Sequence, residues 1–518
     1  MGYERWEDYG NYSTYLEGNI TYDQRFGNHS VSALLLYNQR NYDDGDQVPY
    51  RTQGFAGRAA YTYADRYIAE FNFGYNGSEN FAKGNRFGFF PSIAAGWIVS
   101  EEEFMRPVQN YINKLKLRAS YGLAGNDRFY NDDGSQKRFA YITTIGSTDG
   151  YKWGNSNAFY EKGGLREGDP GVESLTWETV KKANVGIELG LFKMAELQVD
   201  FFHERREDIF MQRKNIPASA GFPSAPWANY GIVTNKGFDI SLDLNKQINK
   251  DWFISARASV TYAKNKIVEQ DEDLGVLGTY RSSTGKPVGQ IFGLVNDGLY
   301  TEADFEDVTT GKLKPGLPVP KFSDRVYPGD IKYVDFNGDG EITETDKTAI
   351  GGTVNPELVY GFGINLSYKN IDFGAFFQGN GHTYRIIGEN QKNFLPGSTI
   401  GAEGNIFTNA SDAWTVDNPS QDVFYPRLHM GYNANNAQVS DWWLKDMSML
   451  RLKNVELGYS FSKNLIKKAA MEYARIFVRG TNLLQFSKFD LWDPELNTSN
   501  GLKYPIMATY SIGLQVRF

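Results

Sequence analysis

Cysteine is absent from all 518 residues, which excludes disulfides, thiolate metal sites and a cysteine nucleophile. Histidine is scarce: His29, His203, His382 and His429 are scattered over turns, strands and loops, leaving little for a catalytic metal centre. Long hydrophobic runs are also missing. The best candidate, Phe87 to Val99, is broken by Pro91 and Gly96 and falls short of the roughly 18 residues a membrane helix needs, so an α-helical membrane protein is excluded. Basic charge is in deficit, with 54 Lys and Arg against 62 Asp and Glu for a net charge of −8, the wrong balance for a nucleic-acid binder. The opening MGYERWEDYG carries no basic start, apolar centre or small-residue cleavage site, so no export signal is read there. What is abundant is aromatic and flexible: 33 Tyr, 35 Phe and 54 Gly, a composition that excludes disorder. Two classes remain, a large soluble β protein and a membrane β-barrel, whose hydropathy is weak because only alternate residues face lipid.

Period-two alternation runs from end to end. Ala195, Leu197, Val199 and Phe201 alternate with Glu196, Gln198 and Asp200, and Phe238, Ile240, Leu242 and Leu244 alternate with Asp239, Ser241, Asp243 and Asn245. Trp252, Ile254, Ala256, Ala258, Val260 and Tyr262 share one face of a further strand. A soluble sandwich gives the same alternation. The strands expected here are roughly 9 to 13 residues long, which suits a tilted membrane span better than a soluble sheet. Aromatic pairs near their ends, such as Tyr22 with Phe26 and Tyr61 with Tyr63, suit interfacial girdles.

Strands are expected at 13–25, 29–40, 54–63, 67–78, 88–99, 115–124, 178–189, 195–207, 236–246, 252–266, 358–368, 371–379, 449–461, 473–482 and 508–518. Short turns near 26–28, 64–66, 190–194, 247–251 and 369–370 alternate with long Gly-, Asn- and Asp-rich segments at about 125–177, 208–235, 267–357 and 380–448. Short periplasmic turns and long external loops are the outer-membrane barrel arrangement. The connections 100–114 and 462–472 fall on the short-turn side and are expected to hold short helices. Fifteen strands is an odd count, which runs the first strand inward and places further strands before it; a sixteenth at 138–146 would change that parity.

The chain resembles the SusC/RagA-like TonB-dependent outer-membrane transporters. The resemblance is carried over the whole chain by LRASYGLAGN at 117–126, LTWE at 175–178, NVGIELG at 184–190 and NYGIVTNKGFD at 229–239. It continues through GKPVGQIFGLVNDGLY at 285–300, PGDIKYVDFNGDGEI at 328–342, DMSMLRLKNVELGY at 446–459, NLL at 482–484, DPE at 493–495 and YPIMATYSIGLQVRF at 504–518. It implies an all-β, antiparallel transmembrane barrel of 22 strands, of which residues 1–518 are the C-terminal part. An N-terminal plug and TonB-contacting segment would precede them. It further implies location in the cell outer membrane, a SusD-like surface lipoprotein as partner, and TonB-powered uptake of glycan or peptide fragments, with no enzymatic step.

Three local patterns stand out. In the long 267–357 loop, Asp335, Asn337, Asp339, the Glu341 carbonyl and Asp346 occupy positions 1, 3, 5, 7 and 12 of a calcium loop, with Gly340 at the sharp turn. Asp346 stands where the longer Glu is usual and Ile331 to Val334 reads as extended, so a structural Ca2+ site and a turn-rich acidic loop both fit. At the C-terminus, Tyr510, Ile512, Leu514, Val516 and Phe518 alternate to a terminal aromatic. The resemblance implies that this strand is the signal read by barrel-assembly machinery; an ordinary amphipathic strand gives the same alternation. The third pattern is a set of loop tryptophans, Trp153, Trp177, Trp227, Trp414, Trp442, Trp443 and Trp492, suited to stacking on sugars, to a protein partner or simply to loop packing.

Catalytic signatures are lacking. Thr284-Gly285-Lys286 is followed by Pro287 where a phosphate loop has Ser or Thr, and Gly361-Phe362-Gly363 lacks the third glycine of a dinucleotide fingerprint. Neither H-E-x-x-H nor G-x-S-x-G occurs, and Glu101, Glu102 and Glu103 read as solvated charge. The leading expectation is an active importer, and the alternative is a passive porin closed by these strands alone. An outer-membrane enzyme would need a catalytic cluster at the rim, and a soluble sandwich would need a buried apolar face.

Overall fold

The computed structural model describes residues 10–518 apart from 44, 46–47, 131–133, 156–157, 389–394, 397–407 and 468–469. Most of the opening decapeptide, read above for an export signal, lies outside the described residues. One antiparallel sheet of fifteen strands follows chain order throughout. Its members are β1 (Tyr12–Phe26), β2 (His29–Asp43), β3 (Tyr50–Tyr63), β4 (Tyr67–Ser78), β5 (Phe87–Ile98), β6 (Ile112–Asn126), β7 (Glu178–Leu191) and β8 (Ala195–Gln212). They continue with β9 (Trp227–Gln247), β10 (Trp252–Glu269), β11 (Leu358–Tyr368), β12 (Ile371–Gly381), β13 (Met449–Ser460), β14 (Tyr473–Ser487) and β15 (Thr509–Arg517). All fifteen expected strands are present, and 138–146 adds no strand to the sheet. Several strands run further into the loops than alternation indicated, β9 by nine residues at its start. There Trp227 lies flat on Phe210 of β8 with ring centroids 4.7 Å apart, so packing continues the strand where the period-two pattern fades.

The chain divides into two compact units, Met1–Ser241 with Lys264–Gly275, and Leu242–Ala263 with Val276–Phe518. In the first, β1 to β7 pair successively, with tight connections at Phe26↔His29 and Tyr63↔Tyr67 and the long segment 127–177 between β6 and β7. Ala64 and Asp65 both take positive φ there, the geometry of a hairpin turn whose twist matches its strands. Two 3-10 turns, Val99–Glu101 and Glu103–Val108, fill the expected short helical connection. Towards the long loops, Phe81, Phe129, Leu175, Trp177 and Phe210 form a small buried core.

In the second unit, β11 to β15 pair in register, with a two-residue turn between Tyr368 and Ile371 and a four-residue helix, Lys463–Ile466, in the expected connection. Its hydrophobic core lies in the loops rather than between sheet layers. Leu294, Ile331, Tyr333, Ile342, Ile387, Trp414, Tyr425 and Trp443 are buried together there.

The sheet itself wears its apolar residues outward. Phe89 and Ile93 of β5 are 55% and 60% exposed, and Ile512 of β15 is 77% exposed, while polar neighbours such as Glu70 and Asn72 of β4 are less accessible than Phe71 between them. A soluble sandwich would bury that face. Exposed apolar faces over long strands with the cores confined to the loops are what a lipid-facing wall requires.

Candidate functional site

The opposite, polar face of the sheet concentrates charge in cross-strand ladders. In the first unit, Arg58 of β3 holds Glu70 of β4 at 2.6 Å, and Glu188 of β7 is met by Lys114 of β6 at 2.9 Å. Arg118 of β6 holds Asp200 of β8 at 2.6 Å. In the second unit, Arg475 of β14 bridges Asp372 of β12 and Glu456 of β13, and Arg479 closes on Glu456 at 2.5 Å. Asp372, Glu456 and Arg479 line a cavity of about 790 Å3 with Arg257, Asn365 and Asn454. Asp243 is held by Arg257 at 2.5 Å on its wall. Such a surface is zwitterionic and fixed by pairing, able to hydrogen-bond a polar molecule without offering it a nucleophile. Alternation located this face in the sequence. It did not reveal which charges meet, because pairing depends on strand register.

The calcium-loop pattern folds as one tight turn. Asp335 accepts from the amides of Gly338 at 2.7 Å and Gly340 at 2.8 Å, which hold its carboxyl below the usual range despite the opposing effect of desolvation. Asn337 Oδ1 accepts from the Asp339 amide, Asp339 Oδ1 from the Glu341 amide, and Asn337 Nδ2 donates to Asp339 Oδ2. Asp346 is fully buried and accepts from the amides of Phe336 at 2.9 Å and Thr343 at 2.8 Å. The carboxylates are thus turned onto backbone amides, and among the described residues no group of three acidic or histidine side chains is gathered as a metal cage.

The remaining predicted positions are distributed. Tyr510, Ile512, Leu514 and Phe518 are exposed, on or just beyond β15. Trp177, Trp414 and Trp443 are buried, Trp227 stacks on Phe210, Trp442 donates to the Phe424 carbonyl and Trp492 packs on Phe489. Trp153 differs. It stands on a solvent-facing hairpin of Ile145–Asn155 and Ala158–Glu167, with the Tyr160 ring 4.8 Å away. His429 is no surface histidine: its Nε2 meets the fully buried Asp330 at 2.5 Å, and Asn436 Nδ2 donates to the same carboxylate at 2.9 Å.

Glu102 corrects the reading of Glu101 to Glu103 as free charge. It accepts from Tyr67 Oη at 2.6 Å and Trp97 Nε1 at 3.1 Å and pairs with Arg66, and the two aromatic donors hold its carboxyl below the usual range. It thereby ties the short-turn end of β4 and β5 to the 3-10 connection. A second feature missed from sequence is Arg451 of β13, buried, whose Nη2 donates to both Asp493 carboxylate oxygens at 2.5 and 2.6 Å. The signal was present in the DPE tripeptide at 493–495, but a buried partner 42 residues upstream cannot be read from spacing.

No family profile matches the chain. It is 27% identical over 98% of its length to TonB-dependent receptor P3 of Formosa agariphila, covering 52% of that protein. With TonB-dependent receptor P26 of the same organism it shares 30% identity over 92% of its length, covering 47% of the relative. With TonB-dependent receptor SusC of Bacteroides thetaiotaomicron it shares 26% over 91%, covering 45%. The chain therefore spans about half the length of the curated relatives it matches. Among solved structures, the RagAB peptide importer in its closed-closed state superposes with a TM-score of 0.73 at 22% identity, over 98% of this chain and 55% of that one. At that identity the likeness speaks for the fold.

Proposed function

We propose that this chain, SusC/RagA-like in sequence and a TonB-dependent receptor barrel in fold, forms wall and external loops of an active nutrient importer. Its place is the outer membrane. The observation that carries the reading is the inverted sheet, apolar residues outward and ion-paired polar residues on the other face, joined to loops that fold around cores of their own. Loops capture a glycan or peptide fragment together with a SusD-like lipoprotein. The polar face then provides a hydrogen-bonding path, and the TonB complex supplies the energy. No bond in the cargo is made or broken. One solved structure, named a peptide importer, supports the peptide class, and the glycan class rests on the sequence resemblance alone. The test is uptake of labelled oligosaccharides and oligopeptides by cells with and without this protein and with and without TonB. Uptake requiring both is expected. Uptake that persists without TonB, with large steady conductance of the native protein in planar bilayers, would instead establish the passive porin.

The 335–346 loop is proposed in addition as a structural Ca2+ site. In support, Asp335, Asn337, Asp339 and Asp346 are joined in one hydrogen-bonded loop, from which an ion would draw their oxygens off the backbone amides they now accept from. Calcium should slow proteolysis of 267–357, and identical cleavage in calcium and in chelator would remove the proposal.

A further inference from the structure

At the long-loop end of the first unit, the ends of β2, β3 and β4 and the segment following β6 enclose a polar cavity of about 400 Å3. Its lining has more arginines than acids. Arg40, Arg51 and Arg128 line it against Glu79 and Asp127, and Glu79 is already neutralised by Arg138 at 2.7 Å. None of the three lining guanidinium groups has a carboxylate partner among the described residues, and the Arg51 backbone amide donates to Glu79 Oε1 at 3.3 Å. Arg40 Nε donates to Ser13 Oγ at 3.1 Å, Arg51 Nε donates to Asn41 Oδ1 at 3.3 Å, and the Arg128 guanidinium has no hydrogen-bond partner among the described residues. Elsewhere on this sheet arginines such as Arg58, Arg118 and Arg475 are paired to acids. Guanidinium groups gathered around one cavity without carboxylate partners among the described residues repel one another, and an incoming anion relieves that repulsion.

The surroundings are rigid. Arg40 lies over the Tyr42 ring at 5.2 Å, Arg138 over the Tyr50 ring at 3.8 Å, and the two tyrosine centroids are 6.0 Å apart. Arg138 also donates to the carbonyls of Val48 and Pro49, which fixes the approach to β3. Behind them Ser78 and Asn80 are buried, with Asn80 donating from its amide to Ser78 Oγ and from Nδ2 to the Asp127 carbonyl. Arg40, held against the Tyr42 ring, loses little freedom on binding, and a guanidinium offers a carboxylate two parallel donors.

We propose that this cavity is a capture subsite for carboxylate-bearing oligomers, with Arg40 and Arg128 as the principal anion ligands and Tyr42 and Tyr50 as the flanking surface. The proposal rests on the import reading and narrows its cargo to acidic chains. Carboxylates reach such a site from acidic sugars or from acidic peptides, so the test carries both. Native protein extracted in detergent is titrated by calorimetry with trigalacturonate, a Glu-Glu-Glu peptide, maltotriose and an uncharged Gln-Gln-Gln peptide with blocked ends. At least one acidic probe should bind about tenfold or more tighter than its neutral counterpart, and the preference should fall with added salt. R40Q with R128Q should abolish it, while R40K with R128K, which keeps charge without the planar fork, should retain part of it. The acidic probe that responds identifies the source of the carboxylate. Heat-modifiable mobility in gels confirms that each variant is folded. Equal binding of acidic and neutral probes, no binding of either acidic probe, or an unchanged preference in folded R40Q/R128Q would overturn the subsite. TonB-dependent uptake that continues without charge preference would overturn this subsite alone, whereas absence of TonB-dependent uptake of every oligomer would overturn the import reading.

Discussion

At the residue scale, two buried carboxylates hold the loops in place. Asp271 accepts from Arg213 Nε at 2.6 Å, from the Lys214 amide at 2.9 Å and from Asn215 Nδ2 at 2.7 Å. Desolvation alone would raise its pKa, but these donors prevail and hold it at about 2. Because the folded value lies below the unfolded value of about 3.9, the stabilisation is complete above pH 4 and is lost as pH falls through 2. Amide exchange at Lys214, corrected for intrinsic rates, should show protection falling across that window. D271A should lack this protection at neutral pH and lose on the order of 2 kcal/mol locally; equal protection in D271A would show that the carboxylate does not hold this segment. Asp346 acts similarly within 335–346, where D346A leaves the Phe336 and Thr343 amides without their acceptor. Local destabilisation of about 1–3 kcal/mol is expected, read as faster proteolysis of that loop, and unaltered cleavage would contradict it. The sequence disclosed the second carboxylate through its spacing from Gly340 and concealed the first, since nothing local marks Asp271 as the partner of a loop 56 to 58 residues earlier.

At the element scale, the strands were the most legible feature. Alternation repeats along each one, and a one-residue slip would turn its apolar face over. What escaped was strand length beyond the membrane zone and the identity of cross-strand pairs, both set by neighbours rather than by the strand. The 12-residue calcium-loop pattern was equally visible as a turn, yet its side-chain hydrogen bonds depend on Asp346 being buried by the fold around it. β15 illustrates the limit differently. Among the described residues of the second unit it pairs with β14, and Tyr510, Ile512, Leu514 and Phe518 are exposed. An accessible strand ending in an aromatic is suited to recognition during assembly. Removing Phe518 from the native protein should lower the amount inserted in the outer membrane several-fold while leaving synthesis unchanged, as measured by membrane fractionation; normal insertion would assign the terminal aromatic no part in assembly.

At the scale of the whole molecule, the question is which face of the sheet meets lipid, because the soluble-sandwich and outer-membrane readings predict opposite answers from the same alternation. Ile93 of β5 is 60% exposed on the apolar face and pairs with Tyr121 of β6, whereas Ser120, its neighbour along β6, lies on the face that carries Lys116 and Arg118. A lysine at a lipid-facing position near the middle of the bilayer costs about 2–4 kcal/mol, while a lysine on the watered face changes little. Ile93→Lys should therefore lower the urea midpoint of the folded, heat-modifiable form in lipid vesicles, and Ser120→Lys should leave it near the parent value. The comparison is made within one pair of adjacent strands, so local strand propensity is nearly constant and the difference reports the solvent on each side. If Ser120→Lys proved the damaging change and Ile93→Lys the harmless one, the polar ladders would face a packed interior. The importer reading would then lose the inverted sheet on which it rests.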